Sequence, residues 1–204
     1  MTQALNSLAK EELILASQSP RRSALLRSAG IVHRVIPSDV DESFDPALHP
    51  AEQARVLAHR KALAVAQQYP TNLVLGADTV VVLPQRNSSP SQILSKPESS
   101  SDAEGMLQSL SDRDHLVLTA FILLRLEPAY SRDYVATTKV CFRKLHQDEI
   151  SAYIATKEPM DKAGAYAIQG GAAGFVREVH GSYTNVVGLP LAEVIEALGK
   201  VPWT

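Results

Sequence analysis

One acid interrupts an apolar run. In "NLVLGADTVVVL", Asp78 stands between Leu73-Val74-Leu75 and the valines that follow Thr79. An ionised carboxylate in such a setting is costly unless it is paired or bound to metal. Its neighbours Gly76 and Ala77 are small enough for a ligand to approach the backbone. The alternative is an acid at the strand's exposed end, making a local cap or salt bridge. A second concentration of chemistry is "ASQSPRRSALLRSAG", where Ser19-Pro20 reads as a helix start and Arg21 and Arg22 fall in the first turn. A helix N-terminus disfavours each cation by about 0.3–1 kcal/mol. Two arginines there fit a docked polyphosphate, which would take both guanidinium and free N–H donors. They also fit side chains turned to solvent or paired with Asp39, Asp41 or Glu42.

Glu42 in "SDVDES", Lys61 in "LAHRKA" and Lys96 in "ILSKPE" each have a solvated surface role as their default. Together with Asp78 they have the composition of a magnesium–polyphosphate site, because Mg²⁺ takes one or two carboxylates with phosphate oxygens and water. "MDKAGAYAIQGGAAGF" is rich in Gly and Ala, which allow tight turns, but it is neither a GxGxxG nor a Walker A loop. Gln169, between Ile168 and Gly170, places an amide that could read a base edge. The histidines show no HExxH spacing, so surface or core roles are expected for them, and no GxSxG elbow marks a serine hydrolase.

Composition bounds these readings. The chain has 204 residues, 45% of them hydrophobic and 21% charged, enough for one sizeable core. A net charge of −2 gives no global basic field for nucleic acid, so any anion site must be local. The single cysteine, Cys141, is expected to exclude an intramolecular disulfide framework and a thiolate zinc site. Its place in "TTKVCFRKL" predicts a buried, inert thiol. The first residues lack a signal peptide's apolar core, and "LVLTAFILL" is too short to span a bilayer. A soluble, cytoplasmic protein that binds neither membrane nor nucleic acid is expected.

Strand-like and helix-like segments alternate, which predicts a mixed α/β fold. Leu13–Ala16 reads as a strand and the helix after Pro20 offers Ala24, Leu25, Leu26 and Ala29 as its apolar face, with Gly30 as its stop. "HRVIPSDVDESF" is extended. "PAEQARVLAHRKALAVAQQYP" is a helix with Ala54, Leu57, Ala58 and Ala62 inward, and "NLVLGADTVVVL" is a central strand. The Ser/Pro-rich stretch 84–101 reads as a loop and "DAEGMLQSL" as a short helix. "HLVLTAFILLRL" and "YVATTKVCFRKL" pair as antiparallel strands across "EPAYSRD". A helix at "QDEISAYIAT", a strand at "GFVREVHG" and a helix with Pro190 at its first position complete the chain.

"ASQSPRR", "GADTVV", "SKP", "DKAGAYAIQG" and "GSYTNVVGLPL" occur in an order that resembles the Maf-like nucleotide pyrophosphatases, over about Leu13 to Leu198. "AYAIQG" followed by "GSYTNVVGLPL" is similar to the subgroup acting on dTTP and UTP. The resemblance implies an inosine-triphosphatase-like fold, with a mixed sheet flanked by helices and a cleft between two lobes. It implies residues 13–204 as a single domain behind a 1–12 extension, a divalent cation (Mg²⁺ or Mn²⁺) and a homodimer. By motif, Asp78 is the implied proton acceptor and, with Glu42, a metal ligand. Arg21, Thr79 and Gln169 fall at positions linked to base selection, and Ser17, Arg22, Lys61 and Lys96 at other substrate positions. Alternatives are a pyrophosphatase for a modified purine such as 7-methyl-GTP, or a nucleotide-binding cell-division regulator with little turnover. In "LSDRDH", Asp112 stands where a turn glycine is common in the family.

Overall fold

A computed structural model describes residues 12–45, 47–84 and 91–202. The expected 1–12 extension therefore lies outside the described residues, apart from Glu12. The chain forms a mixed α/β structure with a seven-stranded sheet in the order β2-β1-β3-β5-β6-β7, with β4 paired to β3. It divides into two compact units, Met1–Asp78 with Thr119–Ala136 and Gly188–Thr204, and Thr79–Leu118 with Thr137–Val187. No helix among the described residues is long and apolar enough to cross a membrane.

In the first unit, β1 (Leu13–Ala16) is buried along its whole length and runs parallel to β2 (His33–Val35) and to β3 (Val74–Leu83). A strand covered on both faces needs a continuous apolar sequence, which "LILA" supplies. Helix α1 (Pro20–Ser28) ends as Gly30 predicts: at φ +71° the glycine donates to the Arg27 carbonyl, and Ile31 donates to Leu26. Two carbonyls of the last turn thereby find partners, and Leu26 and Ile31 are buried. Two details of α1 differ from expectation. Ser19 occupies the N-cap position, but its side chain makes no capping bond. The buried face is Arg22, Ser23, Leu25 and Leu26, while Ala24 is exposed and Ala29 half-buried, because the arginine itself turns inward.

Helix α2 (Pro50–Ala66) buries Ala54, Leu57, Ala58 and Ala62 as its periodicity predicts, and Gln53 and Lys61 with them. Its backbone lies close against β3, since a Cβ on Gly76 would sit 2.4 Å from the Ala58 carbonyl and 2.8 Å from the Ala62 Cβ. Only glycine fits there, and that close approach is what carries a residue of α2 to the end of "GAD".

In the second unit, β4 (Gln92–Leu94) pairs antiparallel with β3, Val81 opposite Leu94. The stretch expected as a loop thus holds a short strand at its one apolar pair, Ile93-Leu94, and yields to helix α3 (Ser100–Leu110). Residues 85–90 lie outside the described residues. Strands β5 (Asp114–Arg125) and β6 (Tyr130–Phe142), whose Thr119–Ala136 portion belongs to the first unit, are neighbours joined by four residues, too few for a parallel crossover, so they form the expected antiparallel pair. Asp112, at φ +55°, adopts the left-handed conformation that suits a glycine, a role that Asp tolerates better than most residues. Helix α4 (Gln147–Ala155), three short 3₁₀ turns, β7 (Val176–His180) and α5 (Tyr183–Val187) complete this unit. Its core gathers His115, Phe142 and Tyr166 edge to face, with His115 Nε2 2.8 Å from the Tyr166 hydroxyl. Burial pushes the His115 imidazole down to about 4, so it is a neutral core group, one of the two bland fates expected for the histidines. Helix α6 (Leu191–Leu198), in the first unit, starts one residue later than expected, with Pro190 at its N-cap.

Candidate functional site

The close fit of α2 on Gly76 brings Lys61 to Asp78. The Lys61 Nζ lies 2.6 Å from Asp78 Oδ1 and 2.7 Å from Glu42 Oε1. Lys61 and Asp78 side chains are 8% and 11% exposed, whereas Glu42 is 44% exposed. One ammonium therefore joins a buried and an open carboxylate. The buried pair satisfies the condition on which an acid can occupy this strand, and Asp78 is no surface cap.

Arg22 answers the question raised by two arginines in a first turn. Its side chain is not in solvent: Arg22 is 8% exposed, donating from Nε to the Gly188 carbonyl at 2.8 Å and from NH1 to Ser17 Oγ at 3.0 Å. Ser17 Oγ also accepts from the Ser19 N–H, which shapes the entry to α1. Burial lowers the Arg22 pKa, an effect opposed by the charges of Asp78 and Glu42 and reinforced by Arg21. Arg21 is half-buried.

Glu42 is held at its post by a loop that sequence reasoning passed over. Ser43 donates from both its N–H and its hydroxyl to the Asp41 carboxylate, and those bonds keep Asp41 below its ordinary pKa. Gln53, 1% exposed on α2, accepts from the Asp45 N–H through Oε1, and its Nε2 lies 3.4 Å from the Ser43 carbonyl. Gln53 precedes Leu57 and Lys61 at helical spacing, so a polar residue on the buried stripe was the available signal.

Thr79, Lys96 and Gln169 belong to the second unit. Thr79 follows Asp78 on β3 and so points to the opposite face of the strand. Lys96 is exposed just beyond β4, where continuing the register of Val81 with Leu94 sets it level with Thr79. Gln169 is exposed in a turn closed by the Gly170 N–H on the Ala167 carbonyl. Two buttresses fix that turn: Ala167 N–H donates to the Tyr153 hydroxyl, and Gly171 N–H donates to Glu158 Oε2 at 2.9 Å. A Cβ at Gly170 would lie 1.5 Å from Glu158 Oε1, so this glycine serves close approach by the buttress. The first unit thus joins Glu42 and Asp78 through the Lys61 ammonium, and holds Arg22 on Ser17 and Gly188. The second carries Thr79 on β3, Lys96 just beyond β4 and Gln169 on a turn.

The donors fit a hard divalent cation. Asp78 and Glu42 both offer carboxylate oxygens to a single positive atom, and Mg²⁺ is held by such a pair with phosphate oxygens.

This is an α/β protein with a buried carboxylate clasped by cations, a site suited to a polyanion bound with a divalent ion. A model of the family described as "Maf-like protein" matches residues 12–201, and the chain belongs to that family. It is 47% identical over 188 residues, 92% of this chain and 89% of the relative, to a dTTP/UTP pyrophosphatase of Syntrophus aciditrophicus. A Geobacillus protein of the same name is 46% identical, with 95% of this chain and 100% of the relative covered. One of Geotalea uraniireducens is 48% identical, covering 95% and 96%.

The dipole penalty alone would have Arg22→Ala leave stability unchanged or slightly raised. Its buried bonds reverse that sign. Hydrogen bonds made by a charged group contribute about 1.5–3 kcal/mol, more than the roughly 0.3–1 kcal/mol of dipole relief. Arg22→Ala is therefore expected to lower the melting temperature of the nucleotide-free protein by roughly 4–8 °C for a loss of about 2 kcal/mol. An unchanged or raised midpoint in a thermal melt would show that these bonds do not hold the fold.

Proposed function

We propose that this chain hydrolyses dTTP and UTP to the monophosphate and pyrophosphate. The observation that carries the reading is the Lys61 ammonium shared by Asp78 and Glu42, with Arg22 buried beside them. The names of the relatives supply the substrate. As the triphosphate arrives, its oxygens draw Lys61 away, and an Asp78 oxygen becomes open to a proton. Water attacks the α-phosphorus, its proton passes to Asp78, the bond to the β-phosphate oxygen breaks, and pyrophosphate leaves. Arg21, Arg22, Lys61 and Lys96 offset the charge that gathers on the phosphate oxygens, and Ser17 keeps Arg22 aimed. Asp78 and Glu42 would hold Mg²⁺ or Mn²⁺, which supplies charge neutralisation and polarisation of the phosphates. A cytoplasmic homodimer belongs to the same proposal, and rests on the resemblance.

Gln169 reads the base in this proposal, with Arg21 and Thr79 completing the selection. Uracil and thymine present an N3–H donor beside an O4 acceptor, which a glutamine amide answers with its oxygen and its nitrogen. Cytosine reverses the pattern.

With Mg²⁺, pyrophosphate release is expected from dTTP and UTP ahead of the other ordinary nucleotides and of 7-methyl-GTP. Asp78→Asn, which leaves Lys61 paired to Glu42, should fold and lose roughly 10²–10⁴ in turnover. Release from no nucleotide would favour the regulatory, binding-only alternative, and near-normal turnover in folded Asp78→Asn would remove that residue from the chemistry. In the same assay, Gln169→Glu should lower the ratio of UTP to CTP efficiency by about 5- to 150-fold, since a carboxylate cannot donate to O4. A ratio that does not move would mean that Gln169 does not read the base.

A further inference from the structure

The lone cysteine is not fully buried, contrary to what its strand suggests. Cys141 is half-buried on β6, directly opposite Glu178 in the register with β7. Asp114, at the start of β5, lines the same cavity as Cys141, and its carboxylate lies 3.4 Å from the Lys139 ammonium. Because side chains alternate along a strand, Glu178 and His180 project to one face of β7, and His180 Nε2 lies 2.9 Å from Glu178 Oε2. The Cys141, Glu178 and His180 donor atoms all lie within 4.8 Å of one another. They line a cavity of about 570 Å³ on the second unit, whose lining includes none of the residues assigned a part in pyrophosphate release.

We infer that Cys141, Glu178 and His180 form a site for a thiophilic divalent cation, Zn²⁺ above all. The donor set carries the choice of metal. One sulfur, one imidazole nitrogen and one carboxylate oxygen suit a borderline-soft ion, whereas Mg²⁺ would require oxygen alone. A single thiolate among mixed donors is also a different centre from the multi-thiolate zinc sites that one cysteine excludes. Three protein ligands leave a fourth, open position that faces the cavity and takes water. Burial and the charge of Asp114 raise the thiol's pKa. Binding forms the metal–sulfur bond and releases the thiol proton to solvent. The bound ion would staple strand β7 to β6 across the Cys141–Glu178 register pair.

Cobalt(II) titration of the purified full-length protein tests this directly, because the chain has one cysteine and any thiolate-to-cobalt charge-transfer band must come from it. One Co²⁺ per chain is expected to give that band, and Zn²⁺ should displace it. Cys141→Ser should abolish the band while keeping Mg²⁺-dependent pyrophosphate release. Asp78→Asn should keep the band, which separates this site from the nucleotide site. His180→Ala and Glu178→Gln, which retain the thiol, should each weaken Co²⁺ affinity about tenfold or more. No charge-transfer band in the folded wild-type protein would overturn the site. A band of unchanged affinity in both His180→Ala and Glu178→Gln would overturn it equally, as adventitious binding to a thiol.

Discussion

Everything in the first unit is arranged around one ammonium group between two carboxylates. Removing Lys61 from water is costly, and so is removing Asp78; either alone at this depth would cost several kcal/mol. At 2.6 Å they neutralise each other, and Glu42 at 2.7 Å adds a second acid from the open side. Arg22 brings a further buried cation whose charge feels both acids. Two cations and two anions balance before any ligand enters. In the proposed reaction a triphosphate would bring negative charge in excess, which a divalent cation arriving with it would offset.

That arrangement depends on residues with no chemistry of their own. Gly76 lets α2 lie against β3, without which Lys61 would stand too far from Asp78. Gln53 ties the Glu42 loop to the same helix, through the Asp45 N–H. In the second unit, Gly170 admits the Glu158 carboxylate so closely that the turn carrying Gln169 is held from behind. Asn185, fully buried in "GSYTNVVG", donates to the Val117 carbonyl and to Thr138 Oγ1, so this part of the motif clasps β5 to β6. A sequence motif that reads as functional thus contains positions whose work is to hold strands.

The elements were largely legible because their signals are local. Ala54, Leu57, Ala58 and Ala62 gave the helix its inward stripe, and the uninterrupted β-formers around "GAD" gave a covered strand. Asp78 was legible for the same reason, as a charge where none belongs. Features set by tertiary contact were not. The inward turn of Arg22 depends on Gly188, which is 166 residues away in sequence. The role of Gln53 depends on a loop that its own helix does not reveal. The strand of Cys141 gave no sign of Glu178 and His180, which meet it only through the pairing of β6 with β7. The short strand Gln92–Leu94 was hidden in a polar stretch whose only apolar pair marks where it touches β3.

The central claim is that Lys61 stands in the place of the divalent cation and yields it when nucleotide binds. The affinity for Mn²⁺, an ion that prefers oxygen to thiolate donors, can be measured by electron paramagnetic resonance without nucleotide in the wild type and in Lys61→Met. If the ammonium competes for Asp78 and Glu42, the variant binds Mn²⁺ more tightly, by roughly tenfold for about 1.4 kcal/mol of relieved competition. Equal or weaker binding by a folded Lys61→Met protein would contradict it.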